Sequence, residues 1–336
     1  MSALATQSEK KNYVTALKET LHEEMEANPN LICIGEDIGI LGGAFGVTEG
    51  LLDRFGPLRV VDMPISESAI VGVAIGLAMK GKPVVVEMQF IDFISCGFDQ
   101  IVNNAATLSY RSAGRVPCPI VIRGPSGGYG GGGPYHSQQN EAWFCHSPGL
   151  KVVCPSTPSD AKGLLRAAIR DPNPVIFYEV KELYRKREIM EPVGGPEHMV
   201  PLGKAVIRRA GKDLTIISYG NPLYLCLEAA NRLSKEEGVE AEVIDLRTLV
   251  PLDEETIRNS IAKTNRIMVV NEASRTCGFA GELIARINEF AFELLDAPPT
   301  RVTRADTPVP WVQPLEYAVM PSVDKIYETA LKVVRY

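Results

Sequence analysis

The sequence lacks the patterns that mark membrane, secreted and nucleic-acid-binding proteins. It has no run of about 18 apolar residues, the length a membrane-spanning helix needs. It has no basic excess, because 35 Lys and Arg residues are outnumbered by 41 Asp and Glu residues, and the net charge is −6. A nucleic-acid binder normally carries a basic patch or a basic balance. The N-terminal MSALATQSEKKNYV has no apolar stretch typical of a secretory signal. We therefore expect a cytoplasmic protein, or an organellar-matrix protein if a transit peptide was removed, with neither nucleic acid nor a membrane as partner.

The cysteine and histidine patterns do not indicate a metal site. The seven cysteines are an odd number and include no CxxC pair, and the four histidines include no HExxH spacing. A disulfide framework or a zinc site therefore has little support. Buried, reduced thiols in a reducing compartment fit the cysteine pattern better.

What the sequence does contain is a repeated alternation of strand and helix patterns. Short apolar runs such as PVVVEM at 83–88 and CPIVIR at 118–123 alternate with longer amphipathic or apolar segments. This order is typical of open α/β sheets, mainly parallel and covered by helices on both faces. Residues 91–113 predict one long helix, and VEAEVIDLRTLVP at 239–251 predicts one strand. Further helices are predicted to start near Thr157 and to cover roughly 322–334. The polar, Pro- and Gly-rich segment near 180–203 predicts a linker, so we expect domains at 1–185 and 204–336 with a linker at 186–203.

The segment GGYGGGGPYHSQQ, residues 127–139, is the most unusual feature of the sequence. Its glycines would let the backbone approach a ligand closely, or would simply form a flexible surface loop. No Lys follows them as in a phosphate-binding P-loop. His136, next to the loop, is either a solvated histidine or a catalytic one.

Three groups of acidic or amide residues have both an ordinary and a functional interpretation. Glu67 in MPISESAIVG begins an apolar helix, where an acid favours the helix dipole or could share a proton with a heterocycle. Glu36 and Asp37 follow a strand, where they could cap a helix or form a salt bridge, or could bind a ligand at the usual ligand edge of an open α/β sheet. Asp171 and Asn173 are common turn residues, or oxygen ligands of a small cation.

Ten motifs occur in an order that matches a known family. They include GEDIG, PISESAIVG, EMQFIDF, FDQIVNNAA, RGPSGG, HSQ, IRDPNPVIFYE and VIDLRTLVPLD, spread over roughly residues 12–335. The chain resembles the beta subunit of the thiamine-diphosphate-dependent 2-oxo acid dehydrogenases, the decarboxylating first components of the pyruvate and branched-chain complexes. Acetoin dehydrogenase beta subunits are similar. The resemblance implies a transketolase-like fold, with a pyrimidine-binding domain followed by a transketolase C-terminal domain.

The resemblance also implies partners. A beta subunit of this family pairs with an alpha subunit in an α2β2 tetramer, and a lipoyl-bearing acyltransferase core receives the acyl group from a small 2-oxo acid. The alpha subunit brings the GDG motif that binds magnesium and diphosphate, and this sequence has no GDG. The chain would therefore contain at most half of a cofactor site.

Site residues follow from the same resemblance, position by position. Glu67 matches the glutamate that hydrogen-bonds the aminopyrimidine ring of thiamine diphosphate, and His136 matches the histidine that handles protons during transfer to the lipoyl group. Phe93 matches the aromatic residue on the pyrimidine, and Ile65 and Gln89 match cofactor-lining positions. A structural potassium site is matched by Ile120, Ala168, Ile169, Asp171 and Asn173.

Two alternatives remain beside oxidative decarboxylation of pyruvate or a branched-chain 2-oxo acid. One is acetoin cleavage with the same cofactor. The other is a catalytically silent subunit that only holds an alpha partner to the acyltransferase core, against which the presence of both Glu67 and His136 argues. The glycine-rich segment departs from the branched-chain pattern, and the acyl chain length stays open.

Overall fold

The computed structural model describes residues 9–336. Residues 1–8 lie outside the described residues. They include the start of the predicted first domain and of the N-terminal segment expected to carry no secretory signal. The described strands are β1 (Lys10–Lys11), β2 (Ile32–Gly35), β3 (Val60–Asp62), β4 (Val84–Glu87), β5 (Ile120–Ser126), β6 (Lys151–Val153), β7 (Val175–Val180), β8 (Glu191–Pro192), β9 (Val206–Arg209), β10 (Leu214–Ser218), β11 (Ala241–Asp245), β12 (Thr248–Val250), β13 (Ile267–Ser274) and β14 (Thr300–Arg304).

The α-helices lie between these strands. They are α1 (Tyr13–Ala27), α2 (Leu51–Phe55), α3 (Glu67–Met79), α4 (Ala106–Arg111), α5 (Ala142–Cys145), α6 (Pro158–Ile169), α7 (Pro222–Glu237), α8 (Glu254–Thr264), α9 (Phe279–Ala291), α10 (Gln313–Val319) and α11 (Val323–Val334). Two predicted starts are confirmed by side-chain caps. The Thr157 hydroxyl accepts from the Asp160 N–H at the start of α6, and the Ser322 hydroxyl accepts from the Lys325 N–H at the start of α11.

The larger sheet contains seven strands in the order β12-β6-β7-β5-β4-β2-β3. All of its pairs are parallel except β12 with β6. Its central strands are buried along their length and mainly apolar, because helices cover both faces, as a parallel sheet requires. The carboxyl ends of β2, β3, β4, β5 and β7 therefore meet along one edge.

The smaller sheet contains five strands in the order β14-β13-β10-β11-β9, of which only β9 is antiparallel. The expectation of two open, mainly parallel, helix-covered sheets is thus confirmed. The sequence VIDLRTLV, predicted as one strand, is divided between the sheets: β11 belongs to the smaller sheet, and β12 pairs with β6 of the larger one. The backbone turns at Arg247, which has φ of 59°.

The prediction of one long helix at 91–113 is wrong. The structure has a 3₁₀-helix at Ile91–Gly97, a π-helix at Gln100–Ala105 and then α4. Close packing against α3 accompanies this break, because a Cβ on Gly97 would lie 3.3 Å from the Glu67 carbonyl oxygen. A larger residue at position 97 would require neighbouring atoms of α3 to shift by a few tenths of an ångström.

The segment predicted as a linker, 186–203, contacts the first half along its length. Glu191–Pro192 pairs antiparallel with Lys10–Lys11 to form a two-stranded sheet. The Val200 N–H donates to the Gly163 carbonyl at 3.1 Å. Within residues 9–336, no helix is long and apolar enough to cross a bilayer.

Candidate active site

Polar side chains gather where β2 and β4 end, at the carboxyl edge of the larger sheet. Glu36 and Asp37 follow β2, and the Gln89 side chain donates to Asp37 Oδ2 at 3.2 Å. Partial burial raises the pKa of Glu36, and the nearby charges of Asp37 and Glu67 raise that pKa further. The structure therefore brings Glu67 near the acidic pair that follows β2, as expected for ligand-binding residues at a sheet edge.

Glu67 is the first residue of α3 and is half-buried. The residue before it, Ser66, makes no side-chain cap to the helix. Ile65, two residues before Glu67, is 78% exposed, which is unusual for an isoleucine beside a half-buried carboxylate. A carboxylate at a helix N-terminus with an uncovered apolar side chain next to it suits a ligand that is both flat and hydrogen-bonding.

His136 lies against two aromatic rings of the same sheet edge. Its ring centroid is 4.3 Å from that of Phe90 and 5.6 Å from that of Phe93, with both pairs edge-to-face at 89°. Phe93 belongs to the 3₁₀-helix Ile91–Gly97, whose last residue packs against Glu67. This short helix thus contacts the His136 ring through Phe93 and the backbone of Glu67 through Gly97.

Two residues that the sequence did not indicate fix the backbone around His136. Asp92 Oδ1 accepts from the N–H groups of Ser137 at 3.1 Å and Gln138 at 3.0 Å. The ammonium group of Lys181, at the end of β7, donates to the His136 carbonyl at 2.6 Å. Burial lowers the pKa of Lys181, although the nearby carboxylates of Glu272 and Asp92 oppose that shift. The sequence alone does not indicate these contacts, because Asp92 and Lys181 lie about 45 residues before and after His136 in the chain.

The glycine-rich segment packs against the C-terminal half of the chain. The buried carboxylate of Glu272 accepts from the Gly128 N–H, and Glu316 Oε2 accepts from the Gly131 N–H at 3.0 Å. The Tyr129 hydroxyl donates to the Pro321 carbonyl at 2.9 Å. Burial raises the pKa of Glu272 to about 7.

Close backbone packing accounts for two of these glycines. A Cβ on Gly133, which has φ of +61°, would lie 2.7 Å from the Trp311 ring, and one on Gly128 would overlap the Met320 side chain. Both positions therefore need glycine for contact with the C-terminal half. Neither of the two interpretations made from the sequence, a flexible loop or a ligand cradle, included this packing.

A buried charge cluster lies directly behind the sheet edge. The Arg123 guanidinium, 1% exposed, contacts the carboxylates of Glu87 and Glu179, and its Nη2 donates to Glu179 Oε2 at 2.6 Å. The Tyr184 hydroxyl donates to the same Glu179 oxygen at 2.6 Å. Glu87 Oε1 would lie 2.5 Å from a Cβ on Gly43. The cluster thus joins β4, β5 and β7 to the loop that follows Glu36 and Asp37.

The five residues matched to a potassium site also lie together. Ile120 begins β5, Ala168 and Ile169 end α6, and Asp171 and Asn173 form the turn before β7. The turn is held beside β5 by a hydrogen bond from the Cys118 N–H to the Pro172 carbonyl at 2.9 Å.

The Asp171 carboxylate is already occupied by other contacts. Its Oδ1 accepts from the Asn173 N–H at 2.9 Å, and its Oδ2 contacts the Lys151 ammonium group. Across residues 9–336, no group of three or more His, Cys, Asp or Glu side chains could hold a metal ion. An alkali cation at this turn would depend on main-chain carbonyl oxygens.

The comparison with family models divides the chain in two. Residues 9–187 match the model described as transketolase, pyrimidine binding domain, and residues 203–326 match transketolase, C-terminal domain. The solved structure of a split-gene transketolase, described as an inactive beta4 tetramer, superposes with a TM-score of 0.76. That match covers 96% of this chain and 98% of the other at 21% identity, which shows a shared fold.

Curated relatives are much closer in sequence. The chain is 45% identical to 2-oxoisovalerate dehydrogenase subunit beta 2, mitochondrial, of Arabidopsis thaliana, over 97% of this chain and 89% of that protein. It is 44% identical to 2-oxoisovalerate dehydrogenase subunit beta of Bacillus subtilis (strain 168), over 96% and 97%. It is 45% identical to pyruvate dehydrogenase E1 component subunit beta-2, mitochondrial, of Oryza sativa subsp. japonica, over 94% and 84%.

Proposed function

This chain belongs to the beta subunits of the E1 component of 2-oxo acid dehydrogenases, and from that premise we propose that Glu67 and its surroundings hold the pyrimidine end of thiamine diphosphate. The observation that carries the proposal is the pairing of Glu67, half-buried at the start of α3, with the uncovered side chain of Ile65. A planar heterocycle with a ring nitrogen would cover Ile65 and hydrogen-bond the carboxylate. Phe93 and Gln89 lie on the same edge and would complete this side of the site.

When bound, thiamine diphosphate supplies the carbon nucleophile and the electron sink that decarboxylation of a 2-oxo acid needs. The part of this chain is to orient the ring and hold a proton at its edge. Glu67 stands close to Glu36, because its charge contributes to raising the pKa of Glu36. Glu67 would hold a proton between its own carboxylate oxygen and a ring nitrogen.

His136 is proposed to move a proton at the mouth of the site when the acyl group passes to a lipoyl group. Phe90 and Phe93 fix the plane of its imidazole, while Asp92 and Lys181 fix the backbone on either side. A ring held in this way loses little freedom when substrate binds, which favours proton transfer in one defined direction.

An alpha subunit is proposed to provide the rest of the site. The sequence has no GDG, so magnesium and the diphosphate group would be held by that partner, in an α2β2 tetramer docked to a lipoyl-bearing acyltransferase core. The substrate class is a 2-oxo acid. Relatives named for pyruvate and for 2-oxoisovalerate are equally similar, at 45% identity, so both acids belong in the assay.

Two further features belong to the same proposal. The main-chain oxygens around Ile120, Ile169 and Asn173 would hold a structural potassium ion, because the Asp171 carboxylate already bonds Asn173 and Lys151. The compartment is proposed to be the cytoplasm or an organellar matrix, and two of the relatives described above are named as mitochondrial.

Reconstitution with an alpha subunit tests the proposal. Glu67→Gln keeps side-chain volume and should lower decarboxylation of pyruvate or a branched-chain 2-oxo acid by about 100-fold or more, as loss of a proton-transfer group typically does. Glu36→Gln, the matched control, neutralises the neighbouring carboxylate and should cost less than about tenfold. A folded Glu67→Gln tetramer with near-wild-type turnover would refute the assignment. Equal inactivity of wild type and variant with both acids, but activity with acetoin, would support the acetoin enzyme instead.

Calorimetry with thiamine diphosphate and magnesium separates the partner's contribution. The chain alone should bind the cofactor weakly or not at all, and the mixture with the alpha subunit should bind it tightly. Tight, magnesium-dependent binding by the chain alone would refute the shared site.

A further inference from the structure

A second cleft, of about 1100 Å³, lies between the two halves of the chain. Phe98 and Trp143 line it from the first half. The junction of β13 with α9, including Ser274 and Phe279, lines it from the second half together with Arg304 at the end of β14. Neither Glu67 nor Ile65 nor His136 belongs to this cleft, so its residues are not those assigned above to the cofactor.

Arg304 is a buried cation with few direct partners. It is 8% exposed, its Nη2 donates to the Ser274 hydroxyl at 2.7 Å, and its Nε is buried with no partner. Within residues 9–336 the guanidinium forms no salt bridge, although Glu272 and Glu141 lie near enough to affect its charge. Burial lowers the pKa of Arg304. Burying a cation with so few partners is costly, and a bound anion would offset the cost.

The first turn of α9 faces the same cleft. Gly278 stands at the N-cap and has no side chain to bond the first-turn N–H groups, and Gly278, Phe279 and Gly281 all line the cleft. In the first turn of this 13-residue helix the Gly281 N–H donates to the Gly278 carbonyl at 2.9 Å, whereas the N–H groups of Phe279 and Ala280 have no acceptor within the helix. The helix dipole favours a negative charge there. A buried cation whose Nε has no partner and a helix start without a side-chain cap therefore lie on one wall of one cleft.

We propose that this cleft binds a small organic monocarboxylate, with its carboxylate between Arg304 and the first turn of α9 and its apolar body against Phe98, Trp143 and Phe279. A single charge is favoured because Glu282 also lines the cleft, and Glu141 and Glu272 lie near Arg304. These carboxylates would repel the second charge of a phosphate dianion. The aromatic walls favour a ligand with several carbons over formate or acetate.

Trp143 provides a direct measurement of binding. The chain has two tryptophans, and Trp311 lies outside the cleft, so Trp311→Phe leaves Trp143 as the only tryptophan. Titration of the full-length Trp311→Phe chain with hexanoate should give a saturable change in Trp143 fluorescence. The neutral analogue 1-hexanol and inorganic phosphate should each bind at least about tenfold more weakly. Equal binding of hexanol, or tighter binding of phosphate, would overturn the proposal.

Two arginines of the cleft make a matched pair of variants. Arg286 also lines the cleft, but its Nε and Nη2 both bond Glu254 Oε1, at 3.0 and 2.6 Å. Arg304→Met should weaken hexanoate binding at least about tenfold, and Arg286→Gln should change it less than about twofold. Because the Arg304 guanidinium bonds only the Ser274 hydroxyl among residues 9–336, Arg304→Met should still fold, and a thermal unfolding curve checks this. If it does not fold, Arg304→Gln replaces it in the titration.

Hexanoate binding that survives in a folded Arg304 variant would overturn the role of this residue. The same titration by calorimetry on the assembly with the alpha subunit should give a similar dissociation constant. Loss of binding on assembly would show that the cleft is not a ligand site of the enzyme.

Discussion

Replacing Arg123 with methionine would leave two buried carboxylates facing each other without their cation. Glu87 and Glu179 are almost fully buried, and both contact the Arg123 guanidinium. Burial already raises the pKa of Glu87, and the positive charge of Arg123 opposes that shift. Removing one member of a buried ion pair typically costs about 3–5 kcal/mol. Arg123→Met should therefore lower the free energy of unfolding by about that amount, measured by urea denaturation at pH 7.5.

The charge origin of this loss predicts its pH dependence. In the variant, the pKa of Glu87 should rise further above the unfolded value of about 4.3, because the opposing charge of Arg123 is gone. A group whose pKa is raised in the folded state stabilises the fold below its unfolded pKa, and this stabilisation disappears as pH rises through the folded pKa. The difference in unfolding free energy between variant and wild type should therefore shrink as the pH falls from 7.5 toward 5.

A triple variant separates charge from shape. Glu87→Gln and Glu179→Gln added to Arg123→Met remove all three charges, and most of the lost stability should return, to within about 2 kcal/mol of wild type. Tyr184 could still donate to the glutamine that replaces Glu179. A loss below about 1 kcal/mol in Arg123→Met alone, or no recovery in the triple variant, would refute the argument that the cluster is balanced by charge.

Three other predictions concern Glu272, His136 and the potassium site. Because burial raises the pKa of Glu272 to about 7, wild type should lose up to about 3 kcal/mol of stability between pH 5 and 8. Glu272→Gln, which keeps an acceptor for the Gly128 N–H, should lose less stability over that range. Equal losses of unfolding free energy in the two proteins, measured by urea denaturation at each pH, would contradict the assignment. His136→Ala should reduce lipoyl acylation more than decarboxylation with an artificial electron acceptor, because a proton is needed most when the dithiolane opens; equal losses would place His136 in an earlier step. Potassium chloride should raise the unfolding temperature of wild type above that in choline chloride, and equal temperatures would contradict a structural potassium ion.

Local patterns in the sequence were sufficient for the fold class and for many element boundaries. Alternating apolar strands and helices predicted two helix-covered, mainly parallel sheets, and Thr157 and Ser322 marked helix starts that the structure has. These features depend on neighbours within a few residues, where periodicity and capping act directly. The ordered motifs also indicated the family.

The failures share a different cause. The chain at 91–113 forms three short helical segments, of which the first contacts Glu67 of α3 through Gly97, and β12 pairs with β6 instead of continuing β11. Both outcomes depend on contacts with distant segments, and local propensity does not contain that information.

The same division applies to the candidate site. Glu67, Phe93 and His136 could be named from their motifs, but Asp92 and Lys181, which hold the backbone at His136, could not. Contacts such as that of Glu272 with Gly128 join residues 144 positions apart. Residue type and spacing along the chain determined which chemical groups are available. Only the tertiary structure decided which charges are buried, paired or left without a partner, because burial and electrostatic pairing are properties of distances in space.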